Sequence, residues 1–245
     1  MTTLLSRSNP KLQKCSKYGY LSAGLMLQPK TASGIIDVCR FSTGCADVCL
    51  DISGHGAIVK HGEFTNSVQE ARYNRTQLFR FARSEFIDQL KAEISLHRIY
   101  ALNEGLKPIV RLNTLSDLLW EKIAPELFTE FPSVQFYDYT KYPLRYRKTL
   151  PSNYHLTFSR AETSYNQVEA QRWLDNGKPI SVVFDTPKGQ PLPDTFLGHR
   201  VVDADIHDVT FLHAQKGLVL GLRAKGKAKS DTSGFVVRTS SWCSH

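Results

Sequence analysis

From residue 107 onward, short apolar runs alternate with stretches of helical periodicity, and no other feature narrows the architecture as much. Residues 107–113 (KPIVRLN), 134–139 (VQFYDY), 154–159 (YHLTFS) and 180–185 (ISVVFD) are predicted strands. Residues 201–203 and 217–222 (GLVLGL) look like two more. Between them, residues 116–128 are predicted helical with Ser116 as N-cap, and residues 165–176 form a helix that Gly177 is placed to end. Strands alternating with helices imply a parallel sheet joined by right-handed crossovers. Six or so such units build an open doubly wound sheet or, as the expectation adopted here, a partial or irregular (β/α)6-type barrel.

Upstream the pattern differs. Residues 1–18 are polar and basic and are expected to be loosely ordered. Residues 20–38 read as short extended pieces broken by Pro29 and by Ser33-Gly34. Residues 39–56 form a glycine-punctuated loop, and residues 65–103 a long helical region with a second start near Ser84-Glu85. A chain of 245 residues can bury one core without covalent staples, so a single α/β domain is expected. No run approaches the roughly 18 consecutive apolar residues of a membrane helix, and the N-terminus shows no apolar stretch with a small-residue cleavage site. The expectation is a soluble, intracellular (cytoplasmic) protein with no membrane partner; oligomeric state is not legible.

Three of the five cysteines fall within Cys39-Arg-Phe-Ser-Thr-Gly-Cys45-Ala-Asp-Val-Cys49. The odd number and the crowding argue against a disulfide framework and for a metal or redox centre in a reducing compartment. A cluster needs several thiolates converging while the backbone wraps round them, and short gaps containing Gly44 allow it. Three cysteines leave one iron of a 4Fe–4S cube unclaimed. Its fourth ligand is then a substrate, a cofactor or a distant side chain, with Cys243 the obvious candidate and Cys15 a weaker one. Zinc is the rival metal, because His55 and His61 follow Cys45 and Cys49.

Polar residues recur where the predicted strands end: Arg111 and Asn113, then Asp138, Thr140 and Lys141, then Ser159 and Arg160, then Asp185 and Asp203. Parallel α/β folds bind ligands at the carboxyl ends of their strands, so this placement predicts a polar pocket, although strand ends that merely meet solvent are polar too.

Several segments together resemble a known family. They are Leu27-Gln-Pro-Lys-Thr-Ala-Ser-Gly34, the three cysteines, Gly54-His-Gly56, Ala71-Arg72 with Thr76, Arg111-Leu112-Asn113 with Ser116-Asp117 and Trp120-Glu121, residues 137–141 (YDYTK) and residues 221–226 (GLRAKG). The chain resembles phage proteins of the Gene product 88 type, which look like distant relatives of radical S-adenosylmethionine (SAM) enzymes. That resemblance implies a partial (β/α)6 barrel in which Cys39, Cys45 and Cys49 hold a 4Fe–4S cluster. SAM would chelate the fourth iron, and Arg111, Asn113, Asp138, Lys141, Ser159 and Arg160 would face SAM or substrate. If Cys243 closes the cluster instead, the centre serves structure, redox or partner binding. A phage origin would place the protein in the host cytoplasm.

The net charge of +8 attracts polyanions, so nucleic acid or a nucleotide is the expected partner, with solubility as the plain alternative. Residues 137–148 interleave tyrosines with basic residues and either stack bases or pack their rings into the core. Residues 221–228 nearly spell a phosphate loop but lack its Ser/Thr, leaving anion contact as their expected use.

Overall fold

The structure is a computed structural model and describes residues 2–8, 10–49, 66–213 and 217–239. It is an α/β fold whose ten strands make up a mostly parallel sheet. The chain falls into two compact units: residues 1–40, 50–138 and 150–155, and residues 41–49, 139–149 and 156–245.

In the first unit, β1 (Leu5–Ser6) runs antiparallel to β2 (Tyr20–Leu25). β2 is parallel to β3 (Lys107–Arg111), and β3 to β4 (Gln135–Thr140), whose last two residues belong to the second unit. The opening stretch carries order that its polarity concealed: β1, α1 (Pro10–Gln13) and a 3-10 turn at Lys14–Tyr18. Leu4, Leu12 and Cys15 are buried there, which is why it packs.

α2 (Ser67–Phe81) starts where the Asn66 side chain accepts hydrogen bonds from the amides of Val68 and Gln69. α3 (Arg83–Asn103) follows after a break at Ala82 and buries Phe86, Leu90, Ile94, His97 and Ala101, one face at three- and four-residue spacing. His97 Nε2 sits 3.2 Å from the carbonyls of Leu21 and Ile109, so the helix is tied to both β2 and β3. Burial lowers its pKa, which keeps the ring neutral in the core. Gly105 closes α3 at φ 69°, where Leu106 N–H reaches Ala101 O (2.9 Å) and the chain turns straight into β3.

The helix predicted over 116–128 is instead two short ones, α4 (Trp120–Ile123) and α5 (Glu126–Glu130), separated at Pro125. Ser116 caps neither; its hydroxyl donates to Asn113 Oδ1 (2.9 Å) and helps hold residues 113–119 as a loop. Phe79, Phe86 and Trp120 pack with ring centroids 5.3–6.4 Å apart, and Phe128 packs on Phe136 and Tyr154 at 4.9 and 4.8 Å.

In the second unit, β5 (Tyr154–Ser159, its first two residues in the first unit) is parallel to β6 (Ile180–Phe184). β6 is parallel to β9 (Val219–Arg223), and β9 to β8 (His199–Asp203), which pairs antiparallel with β7 (Thr195–Phe196). β10 (Val236–Val237) adds to β6 in parallel. α6 (Ser164–Asp175) connects β5 to β6 and ends as α3 does: Gly177 has φ 68°, and Lys178 N–H reaches Trp173 O (2.9 Å). No helix among the described residues is long and apolar enough to cross a membrane.

Candidate metal centre

Soft thiolates suit iron–sulfur clusters and zinc alike, so the placement of the thiols decides what the chain can hold. Cys15, Cys39, Cys45 and Cys49 are all free of disulfides. Cys15 is sealed in the core of the first unit, whereas Cys39, Cys45 and Cys49 are half-buried. Cys243, His55 and His61 lie outside the described residues.

In the first unit, turns at residues 29–38 lead to Cys39. Asp117 N–H donates to Val38 O (2.8 Å), Cys39 N–H to Asp37 Oδ1 (2.8 Å) and Cys39 Sγ to Leu115 O (3.5 Å). Cys39 is thereby laid on the loop that leaves the carboxyl end of β3. Asn113 shapes that loop. Its Oδ1 accepts from Ser116 Oγ, Leu118 N and Trp120 Nε1, and its Nδ2 donates to Leu118 O (2.9–3.1 Å). Asn113 N–H donates to Asp138 Oδ1 (2.7 Å), and Tyr154 donates its phenolic proton to Asp138 Oδ2 (2.9 Å). Asn113 and Asp138 are 2% and 0% exposed, so both support the loop from inside, while Arg111 is half-buried at the end of β3.

In the second unit, Cys45 sits on a 3-10 turn, Gly44–Ala46, after which Cys49 N–H bonds to Ala46 O (3.4 Å). Gly44 N–H donates to Glu162 Oε1 (2.9 Å), which pins the turn just past the carboxyl end of β5. The approach is too close for a side chain: a Cβ on Gly44 would collide with Ser233 Oγ and lie 3.1 Å from Glu162 Oε2. Phe41 packs edge-on against Tyr142 at 4.7 Å, anchoring the other end of the segment.

Two of the predicted ligand-facing residues, Ser159 and Arg160, lie at that strand end, and a third, Lys141, reaches it from the end of β4. Lys141 Nζ donates to Ser159 Oγ (2.7 Å) and lies 5.3 Å from the Phe235 ring centroid. Arg160 donates to the carbonyls of Gly234 and Phe235, and Asn166 Nδ2 donates to Ser159 O (3.3 Å). Burial pushes the Glu162 carboxyl up, but the Gly44 and Glu162 amides, the Thr43 hydroxyl and the Lys141 charge outweigh it, and the net shift is downward. Burial lowers the Arg160 guanidinium against the opposing pull of Glu162 and Asp231. The turn bearing Cys45 is therefore anchored by one carboxylate, whose own charge Lys141 and Arg160 oppose.

The donor set fits an iron–sulfur cluster by chemistry. Three free, half-buried thiols share one short segment, as cluster ligands commonly do. Among the described residues, no three His, Cys, Asp or Glu side chains are already gathered as a metal site. Metal ligands are commonly drawn together by the metal itself, since binding and folding are coupled.

Glu162 and Asn166 are the residues that sequence reasoning missed. Glu162 reads as an ordinary acidic residue ahead of a helix, and only the 118-residue separation from Gly44 closing in space reveals its use. Tyr154 was visible as a strand residue, but its bond to Asp138 was not. Comparison with curated proteins and with solved structures found no match for the chain. A model of the Gene product 88 family matches residues 3–239, and the chain therefore belongs to that family.

Proposed function

We propose that this protein binds a 4Fe–4S cluster through Cys39, Cys45 and Cys49 and uses it in the manner of radical-SAM enzymes, on a nucleic acid or nucleotide substrate. The observation that carries the reading is the mooring of the Cys45 turn by Glu162 at the carboxyl end of β5, beside Lys141 and Ser159. Parallel sheets bind their ligands at that edge. On this reading the sheet would curve as a partial barrel, and Cys39, Cys45 and Cys49 would hold a cluster able to supply the electron for SAM cleavage. Lys141, Arg160 and Arg111 offer cationic partners for the SAM carboxylate or substrate phosphates, and Ser159 a hydroxyl. Asn113 and Asp138 act one step back, by shaping the loop under Cys39.

The test is anaerobic reconstitution with iron and sulfide, followed by metal analysis and low-temperature EPR of the reduced protein, with and without SAM. About four irons and four sulfides per chain, with a signal that SAM shifts, are expected. Cys39→Ala, Cys45→Ala and Cys49→Ala should each lose most of the iron. A cluster signal that ignores SAM, and that Cys243→Ala abolishes, would replace this reading with a closed centre. Zinc at one per chain with no iron–sulfur signal would remove it.

A further inference from the structure

The tyrosine-bearing, basic stretch from β4 through residue 148 divides into two parts. Tyr137 and Tyr142 are buried, at 0% and 9% exposure, and belong to the core. Tyr146 is 37% exposed, and from α6 Tyr165, 47% exposed, joins it. Arg145 lies between the two rings, its Cζ 5.0 Å from the Tyr146 centroid and 5.9 Å from that of Tyr165. The guanidinium donates to the phenol oxygens of Tyr146 and Tyr165, which raises its pKa and holds the three side chains together at the surface.

The exposed charge around them is mainly positive. Residues 141–149 (KYPLRYRKT) contain no acid, and Lys148 is exposed. On α6 the exposed face continues from Tyr165 through Val168 to Arg172. The only acid between residues 163 and 174 is Glu169, which is 1% exposed and turned inward to Leu144 N–H and Arg172. The patch thus offers flat aromatic area interleaved with fixed cations and no free carboxylate of its own. An acidic peptide would use the cations but not the rings, and an apolar partner the rings but not the cations. A single strand of nucleic acid uses both, stacking bases on tyrosine and arginine planes while its phosphates meet the charges. Duplex bases are already stacked and cannot.

We propose that Tyr146, Arg145 and Tyr165 form a stacking platform for single-stranded nucleic acid, flanked by Lys148 and Arg172. The Tyr146 ring lies 6.2 Å from Phe41, which precedes Cys45 by four residues in the cysteine segment. The inference names the substrate class of the reading above, but strand binding itself requires no cluster.

The test is fluorescence anisotropy on the full chain, before and after iron loading, with single-stranded thymidylate and uridylate oligomers of about 15 nucleotides. The same oligomer as duplex and a poly-glutamate peptide serve as competitors. Single strands should bind at least about tenfold tighter than duplex. Tyr146→Ala and Tyr165→Ala should each weaken binding by about tenfold, and Arg145→Gln should cut the salt slope by about 0.7. Leu96→Ala, on an exposed site of α3, should leave binding unchanged, and thermal melts verify that every variant is folded. Equal affinity for duplex, for poly-glutamate, or for the folded tyrosine variants would overturn the platform. Iron content and EPR are read on the same samples. Strand binding without a cluster retires only the iron–sulfur reading, and a cluster without strand binding retires only this one.

Discussion

At the scale of single residues, the polar groups at the strand ends do different kinds of work. Lys141 and Ser159 reach each other across 2.7 Å at a half-buried edge. Asn113, equally polar in the sequence, spends its amide on four bonds within its own loop. Removing that amide leaves the buried Leu118 N–H and Trp120 Nε1–H without their acceptor. Asn113→Ala should therefore cost about 2–4 kcal/mol, read as a lower urea midpoint with an unchanged slope. A loss below about 0.5 kcal/mol would show that the network is dispensable. The sequence could mark Asn113 as polar beyond a strand, because alternation survives in a linear chain. It could not say which way the amide faces, since the partners at 116, 118, 120 and 138 are fixed only by folding.

At the scale of elements, β5 and α6 were legible nearly to the residue, because apolar alternation and a Gly177 stop are local signals. The helix over 116–128 was misplaced because the Asn113 network overrides helical periodicity there. β10 was invisible: two residues carry no period, and their place is set by two carboxylates. Asp185 N–H bonds to Val237 O, and Asp185 Oδ1 accepts from both the amide and hydroxyl of Thr239 at 2.8 Å. Asp231 accepts from Ser233 Oγ (2.7 Å) and Val236 N–H (3.0 Å). Burial raises both carboxyls, but those hydrogen bonds, with Arg238 near Asp185, outweigh it and leave both below the usual 3.8. A depressed carboxyl stabilises the fold above its unfolded value and loses that contribution as pH falls through its folded value. The β10 attachment should thus be complete above about pH 4 and weaken below it. Hydrogen exchange at Val236 and Val237, corrected for intrinsic rates, should accelerate there relative to β9. Asp185→Asn should remove part of that pH dependence. Parallel behaviour of β10 and β9 would count against the clamp.

At the scale of the molecule, neither unit is a continuous piece of chain. The first unit is completed only by residues 150–155, and Asn153 does most of the sewing. Its Nδ2 points to the carbonyls of Phe128, Phe131 and Val134 at 3.1–3.2 Å, and its own carbonyl accepts from Phe136 N–H (2.8 Å). Asn153→Ala in the full chain should lower the thermal midpoint by several degrees, about 2–4 °C per kcal/mol in a chain of this length. An unchanged midpoint would mean that the Asn153 carbonyl and Tyr154 hold the return segment without the Asn153 side chain. None of this stitching has a sequence signature, because it joins segments that propensity treats separately.

The bond between Gly44 and Glu162 also has a meaning in time. Their 118-residue separation means that a ribosome adding roughly 5–20 residues per second needs about 6–24 s between them. For nearly all of that interval Cys39, Cys45 and Cys49 have been made, while the carboxylate that will later moor their segment does not yet exist.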